Sequence, residues 1–548
     1  MAAKLSLLST ISLLFMLFFS LSLAISLPIF KTPETLCNST PYPIFCKSSL
    51  PYNQPGTIHD YAKISISQSL TNSRKFLSLV QYYLRLPSTS YQSTIRALED
   101  CQLLAQLNIE SLSYALENIN SDDDLQSLLT SDLLTLFSAT LTNQETCLEG
   151  LQSLASASSV LNDLSGHLSN GSKHYSTSLA LFSHGWIPKT IKGRFLTERK
   201  QIFSSFRAGA RKSFPIGRKL LEEFTNGVFV GQIVVVNPYG GGDFTTINGA
   251  VAAAPNNTAI SDGYFAIYVV AGVYNEYVSI AKNKKYLMMI GDGINQTVIT
   301  GNRNNVDGWT TFNSATFAVV GQGFVAVNIT FQNTAGAVKH QAVAVRNGAD
   351  LSAFYNCSFE GYQDTLYTHS LRQFYRDCEI YGTIDFIFGN AAVVFQNCKI
   401  YSRLPLSNQF NTITAQGRTD PNQNTGTSIQ NCSIIAAEDL ASSNGTTKTY
   451  LGRPWKEYSR TVVMQSFIDS LIGPAGWAPW SGDFALATLH YAEFDNHGPG
   501  SDISNRVIWP GYDRDFNATD ADSFTVSKFI QGDAWLPTSG VPYFGGLQ

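Results

Sequence analysis

The 548-residue sequence predicts two domains of opposite class: an all-α helical bundle over residues 31–185 and an all-β parallel β-helix over residues 222–548. Three observations predict it. Apolar residues recur at helical spacing in TIHDYAKISISQSLTNSRKFLSLV, STIRALEDCQLLAQLNIESLSYALENI and SDLLTLFSATLTNQETCLEGL. After Gly231 they give way to short β-rich runs such as QIVVVNP, GYFAIYVV and FVAVNITFQN, divided by Gly, Asn and Asp turns that do not come in hairpin pairs. Finally, CSFEGYQD from Cys357 aligns with CEIYGTID from Cys378 at a period of 21 residues, with related starts at Asn328, Asn397 and Asn431, as expected when one period is one turn of a solenoid.

Residues 1–26 carry Lys4, an apolar run broken by serines, and small residues around Ala24, which fits a secretory signal peptide or a signal anchor. Eight cysteines fall four in each half, and nine glycosylation sequons are present, both consistent with an oxidising, extracellular route. The bundle shows no catalytic cluster. Residues 186–221 form a basic linker: ten Lys or Arg stand between Lys189 and Lys219 with Glu198 as the single acid. The linker ends in Arg218, Lys219, Leu220 and Leu221, an exposed basic pair open to a processing protease or simply solvated and left intact. Nineteen basic and fourteen acidic residues leave residues 1–221 at +5, whereas eighteen against twenty-seven leave residues 222–548 at −9. An acidic domain does not hold polyanions by bulk attraction, so nucleic acid is excluded as a partner.

The repeat places two carboxylates. Equivalent positions of a β-helix stack at about 4.8 Å, so Asp364 and Asp385 stand one above the other. Two carboxylates that close titrate as a coupled pair, one keeping its proton as an acid while the other stays charged as nucleophile or base. Paired turn aspartates at solenoid corners are the alternative. The same stacking sets Cys378 beside Cys398 and predicts a disulfide there, two buried thiols being the alternative; Cys357 and Cys432 are left open.

GVYNE (272–276), QAVAVR (341–346), GYQDTLY (361–367), GTIDFIFG (382–389) and LGRPWK (451–456) resemble, in order, the five motifs of plant pectin methylesterases, and the resemblance covers nearly all of residues 230–548. It implies a right-handed parallel β-helix that hydrolyses methyl esters of galacturonate units in pectin, without metal or other cofactor. In the family's roles Asp385 is the nucleophile, and Asp364 the acid that protonates methanol and then the base that activates water. Gln341 and Gln363 match the oxyanion donors. Arg453 matches the arginine that holds the nucleophile ionised and oriented; with Gln341, Trp455 and Thr311 it is expected to meet the sugar chain. The amino-terminal half resembles the pectin methylesterase inhibitor domain, which implies a four-helix bundle with disulfides Cys37–Cys46 and Cys101–Cys147. The expected whole is a secreted, monomeric cell-wall esterase whose bundle restrains or chaperones it until a subtilisin-like protease cuts the linker, and which proteinaceous inhibitors can bind.

One departure is the charge of −9, where many relatives are basic; it predicts weak retention on de-esterified pectin, and retention on low-ester pectin at low salt equal to that of a basic relative would contradict it. A pectate lyase would be expected to need a Ca²⁺ cluster, and a glycosidic hydrolase a different set of acids, so the Gln and Arg motifs disfavour both. A wall protein that only binds pectin would need none of these five side chains together.

Overall fold

In the computed structural model, which describes residues 32–51, 56–86, 91–119, 125, 127–187, 227–443 and 445–548, helices α1 (Pro33–Cys37) and α2 (Pro43–Ser49) lead into four long ones. These are α3 (Ile58–Arg85), α4 (Gln92–Asn118), α5 (Ser127–Gln152) and α6 (Ser158–Trp186). The expected signal segment and the processing site at residues 218–221 lie outside the described residues. Thr57 and Asp60 form a capping box that fixes the start of α3 by satisfying orphan donors of its first turn. Three serines of α3 face inward: Ser65 and Ser69 both bond Ser178, and Ser73 bonds the Tyr175 hydroxyl at 2.6 Å. Their spacing of four residues puts them on one helical face, where each buried hydroxyl finds a partner across α3 and α6. Disulfides join Cys37 to Cys46 and Cys101 to Cys147, the second tying α4 to α5.

The second domain winds through three parallel sheets of eleven, seven and eight strands, the topology of a right-handed parallel β-helix. Its interior is a ladder of like residues: Phe354, Tyr375 and Phe395 stack at 5.0 and 4.8 Å, one interstrand step apart. On the outside Tyr381 lies over Tyr401 at 4.4 Å. The sequence repeat has a backbone cause. Asn328, Asn356, Asp377, Asn397 and Asn431 all have φ between 50° and 59°, a left-handed corner that Asn and Asp tolerate better than other side chains. Each of the last four is followed by an inward cysteine. A helix at Ile247–Ala253 closes one end of the apolar interior, and residues from Val526 to Leu536 pack across the eleven-stranded sheet.

The expected Cys378–Cys398 disulfide is not formed: Cys357, Cys378, Cys398 and Cys432 are four buried free thiols. In-register parallel stacking keeps successive Cβ vectors parallel and about 4.8 Å apart, beyond the about 3.8 Å that a disulfide prefers. The thiols instead donate to main-chain carbonyls, Cys378 to Phe354 and Cys398 to Tyr375 in the preceding turn.

Candidate active site

The seven-stranded sheet carries the candidate residues on successive turns. Leu366 pairs with Ile387 and Tyr367 with Phe388, an offset of 21 that sets Asp364 against Asp385. The Asp364 amide donates to the Ile384 carbonyl at 3.0 Å, tying the two turns beside the carboxylates. Both aspartates have left-handed backbones, φ 62° and 52°. At Asp385 the cause is visible in the register: Ile384 pairs with Thr412 but Ile387 pairs with Thr414, so Asp385 and Phe386 bulge from the ladder. A bulge turns a side chain away from the strict in-and-out alternation, and here it presents the carboxylate to the cleft.

Arg453, just beyond the strand Thr449–Gly452, grips that carboxylate with two bonds: Nε donates to Oδ1 at 2.9 Å and Nη2 to Oδ2 at 2.7 Å. This fork geometry fixes its orientation. Thr412 donates its hydroxyl to Oδ1 at 2.6 Å while accepting from the Asp385 amide. Asp364 is different. Burial and the negative charge of Asp385 push its carboxyl well above the ordinary carboxylate range, with Arg453 opposing. One carboxylate is gripped by a guanidinium and the other is pushed up by its surroundings, so the two aspartates sit in unlike environments one turn apart.

Gln341 and Gln363 line the same cavity, as do Thr311, Trp455 and Trp480. Among the described residues neither glutamine amide has a protein partner, so both remain available as donors. Trp455 packs edge-on toward Phe388 and Tyr367, and Gly417 makes room for it, since a Cβ there would meet the indole at 2.8 Å. All seven expected cleft residues thus come together. Sequence reasoning missed Thr412 and Trp480. The ring of Trp480 lies 4.4 Å from the Arg453 guanidinium and braces its outer face.

It also missed the far wall. Thr146, Glu149, Gly150, Gln152 and Ser153, at the end of α5 and just past it, line the cavity opposite the aspartates. Helix α5 lies along the β-helix by one polar stripe: Asp132 meets Arg372 at 2.8 Å, Thr135 meets Asn424, Thr142 meets Asn390, Thr146 meets His369, and Glu149 meets Lys456. Spacings of three, seven, four and three residues keep these on one helical face. From α4, Arg96 stacks on Trp309 at 3.6 Å, and Asp100 accepts from Thr310. Phe312, Tyr367, Phe388 and Trp455 of the β-helix share one apolar cluster with Leu104, Leu151 and the Cys101–Cys147 pair of the bundle.

Comparison with known proteins bears on these two halves separately. The pectinesterase family model matches residues 233–533. The chain belongs to the pectinesterase family. Residues 31–181 match the plant invertase/pectin methylesterase inhibitor model. A probable pectinesterase/pectinesterase inhibitor of Arabidopsis thaliana is 55% identical over 531 residues, covering 94% of each chain. A pectinesterase/pectinesterase inhibitor of Prunus persica is 47% identical over 463 residues, covering 82% of each. The solved pectin methylesterase from carrot is 56% identical with a TM-score of 0.56, and matches 57% of this chain and 98% of its own. A chain consisting of little more than the β-helix domain therefore folds by itself. This pectinesterase removes methyl esters from pectin and carries an inhibitor-type domain on the same chain.

Proposed function

We propose that Asp385 attacks the ester carbonyl of a methylated galacturonate and that Asp364 acts first as acid and then as base. The observation that carries this reading is the bidentate Arg453–Asp385 pair beside an Asp364 pushed up by burial. Among the described residues Oδ2 accepts only from Arg453, which leaves a lone pair for the carbonyl carbon. As the carbon becomes tetrahedral, its oxygen takes up negative charge, and the uncommitted amides of Gln341 and Gln363 are the donors at hand. Collapse breaks the bond to the methoxy oxygen, which takes the Asp364 proton and departs as methanol, and leaves the sugar joined to Asp385 as a mixed anhydride. Water then gives a proton to Asp364, its hydroxyl adds to the sugar's acyl carbon, and the Asp385 carboxylate separates from the free galacturonic acid, which loses its proton to solvent. Trp455 and Thr311 position the sugar chain.

In this reading the bundle is a plug. Its residues stand where pectin must lie, so the uncut chain is silent until a subtilisin-like protease cuts near Arg218–Lys219 and the esterase works as a secreted monomer in the cell wall. The test compares methanol release from highly methylated pectin by residues 222–548 and by the uncut chain. No methanol from residues 222–548 would refute the esterase roles, and equal release from both would refute the plug.

Docking of the plug is expected to weaken as pH rises. Asp100, buried at the interface, is pushed up to about 7; released, it returns toward the ordinary value of about 3.9. Docking therefore takes up a proton between those values and loses strength through that window. Glu149, raised by burial against Lys456, acts in the same direction. His369, pushed down to about 3 by burial and by Arg346, acts the opposite way up to its ordinary value of about 6.5. Asp100 and His369 offset each other up to about 6.5, and Asp100 prevails just below pH 7. Calorimetry on the chain cut within its linker should give a Kd that rises between about pH 6.5 and 7.5; a Kd that falls there would reverse the assignment.

A further inference from the structure

We propose that Lys456 reads the free carboxylate of a galacturonate unit next to the ester under attack, and that Glu149 occupies that position while the bundle is docked. The inference rests on the cleft assignment above and concerns which pectin it prefers. Lys456 follows Trp455, and its ammonium lies 5.6 Å from the centroid of that cleft-lining ring. Glu149, which lines the cavity from the bundle side, forms an ion pair with it. Among the described residues Glu149 is its sole ion-pair partner, so departure of the bundle leaves the ammonium at the rim of the cleft with no carboxylate of its own domain.

The nearby guanidiniums are already committed. Arg453 spends Nε and Nη2 on Asp385. Arg346 is buried beneath the Phe312 ring at 3.5 Å and donates to the Phe312 carbonyl. The substrate presents two kinds of unit along one chain: a methyl ester, which is neutral, and a carboxylate, which accepts charge-assisted hydrogen bonds from an ammonium. A bundle carboxylate seated on Lys456 has the same chemistry as the second kind. In a domain of net charge −9, which repels de-esterified pectin at long range, one local cation at the rim of the cleft decides whether a neighbouring carboxylate is tolerated or preferred. Each turnover creates such a carboxylate, so the unit beside a finished one becomes the favoured next substrate. Lys456 touches no reacting atom and acts as a specificity residue.

The test uses residues 222–548 as wild type, Lys456→Gln and Lys456→Arg, with methyl-esterified oligogalacturonides of one length, either fully esterified or half de-esterified. On the half de-esterified oligomer Lys456→Gln should raise KM about fivefold with kcat unchanged, the size expected of one part-exposed charge pair. On the fully esterified oligomer KM should move less than twofold, which also shows that the variant is folded. Lys456→Arg should restore the difference, and high salt should shrink it. Equal changes on both oligomers, no change on either, or a change confined to kcat would overturn the proposal. Calorimetric binding of the half de-esterified oligomer to Asp385→Asn, with and without Lys456→Gln, separates this from the catalytic assignment. A fivefold weaker Kd supports Lys456 even if no methanol forms, and an unchanged Kd overturns it even if turnover is normal.

Discussion

Asp385→Asn in residues 222–548 is expected to lower kcat for methanol release by about four orders of magnitude or more, the scale seen when a nucleophile is removed from an otherwise intact site. An asparagine keeps the volume and one oxygen acceptor, so the bulge, the Thr412 contact and half of the Arg453 fork can persist. It cannot form the anhydride. It also removes the negative charge that helps push Asp364 up, so the remaining carboxyl should titrate lower than in the wild type. Asp364→Asn should cost about 10² to 10⁴, because attack is preserved but methanol must leave without a proton donor. The two variants separate in their pH profiles. In the wild type the proton on Asp364 is lost as pH rises through its raised value, so kcat falls on the alkaline side; in Asp364→Asn that limb should vanish. An Asp385→Asn rate within tenfold of wild type, or an alkaline limb that survives Asp364→Asn, would assign the chemistry to other groups.

Much of the site was legible because a β-helix converts sequence distance into spatial distance at a fixed rate. Twenty-one residues is one turn, and Asp364 and Asp385 are one turn apart. The motifs also carried Gln341, Gln363, Arg453 and Trp455 to the cleft. Thr412 was missed because it pairs with the bulged strand at an offset of 28 from Ile384, outside the 21-residue period. The missing Cys378–Cys398 bond has the opposite origin: the period was right, and stacking alone does not bring two Cβ atoms to disulfide distance. The docking face of α5 gave no signal of its own in the sequence. Asp132, Thr135, Thr142, Thr146 and Glu149 look like the polar side of an amphipathic helix, and periodicity cannot tell water from a polar partner. Glu149 and Lys456 lie 307 residues apart, across the join between two domains, where no repeat registers one against the other.

The uncut chain is expected to release no methanol, and cutting the linker is expected to restore turnover after dilution, a change larger than any single substitution at the interface can make. The apolar contact sets the strength of the plug. Several large side chains are buried between the domains, each worth about 1.5–3 kcal/mol when fully covered, whereas part-exposed pairs such as Lys282–Glu110 add about 0–1 kcal/mol. While the linker is intact, the bundle is held at a local concentration of about a millimolar. Diluting the cut chain to about nanomolar removes roughly six orders of magnitude of that advantage, or about 8 kcal/mol. Glu149→Lys sets two ammonium groups against each other and costs several kcal/mol, about 10² to 10³ in affinity. That loss is smaller than what the tether supplies. Glu149→Lys should therefore leave the uncut chain silent, yet after cutting it should shorten the lag before methanol appears, because the weakened plug dissociates faster. Turnover by the uncut wild-type chain at the rate of residues 222–548 would mean that the bundle does not occlude the cleft. Turnover by uncut Glu149→Lys alone would mean that the ion pair, not the apolar contact, holds the plug in place.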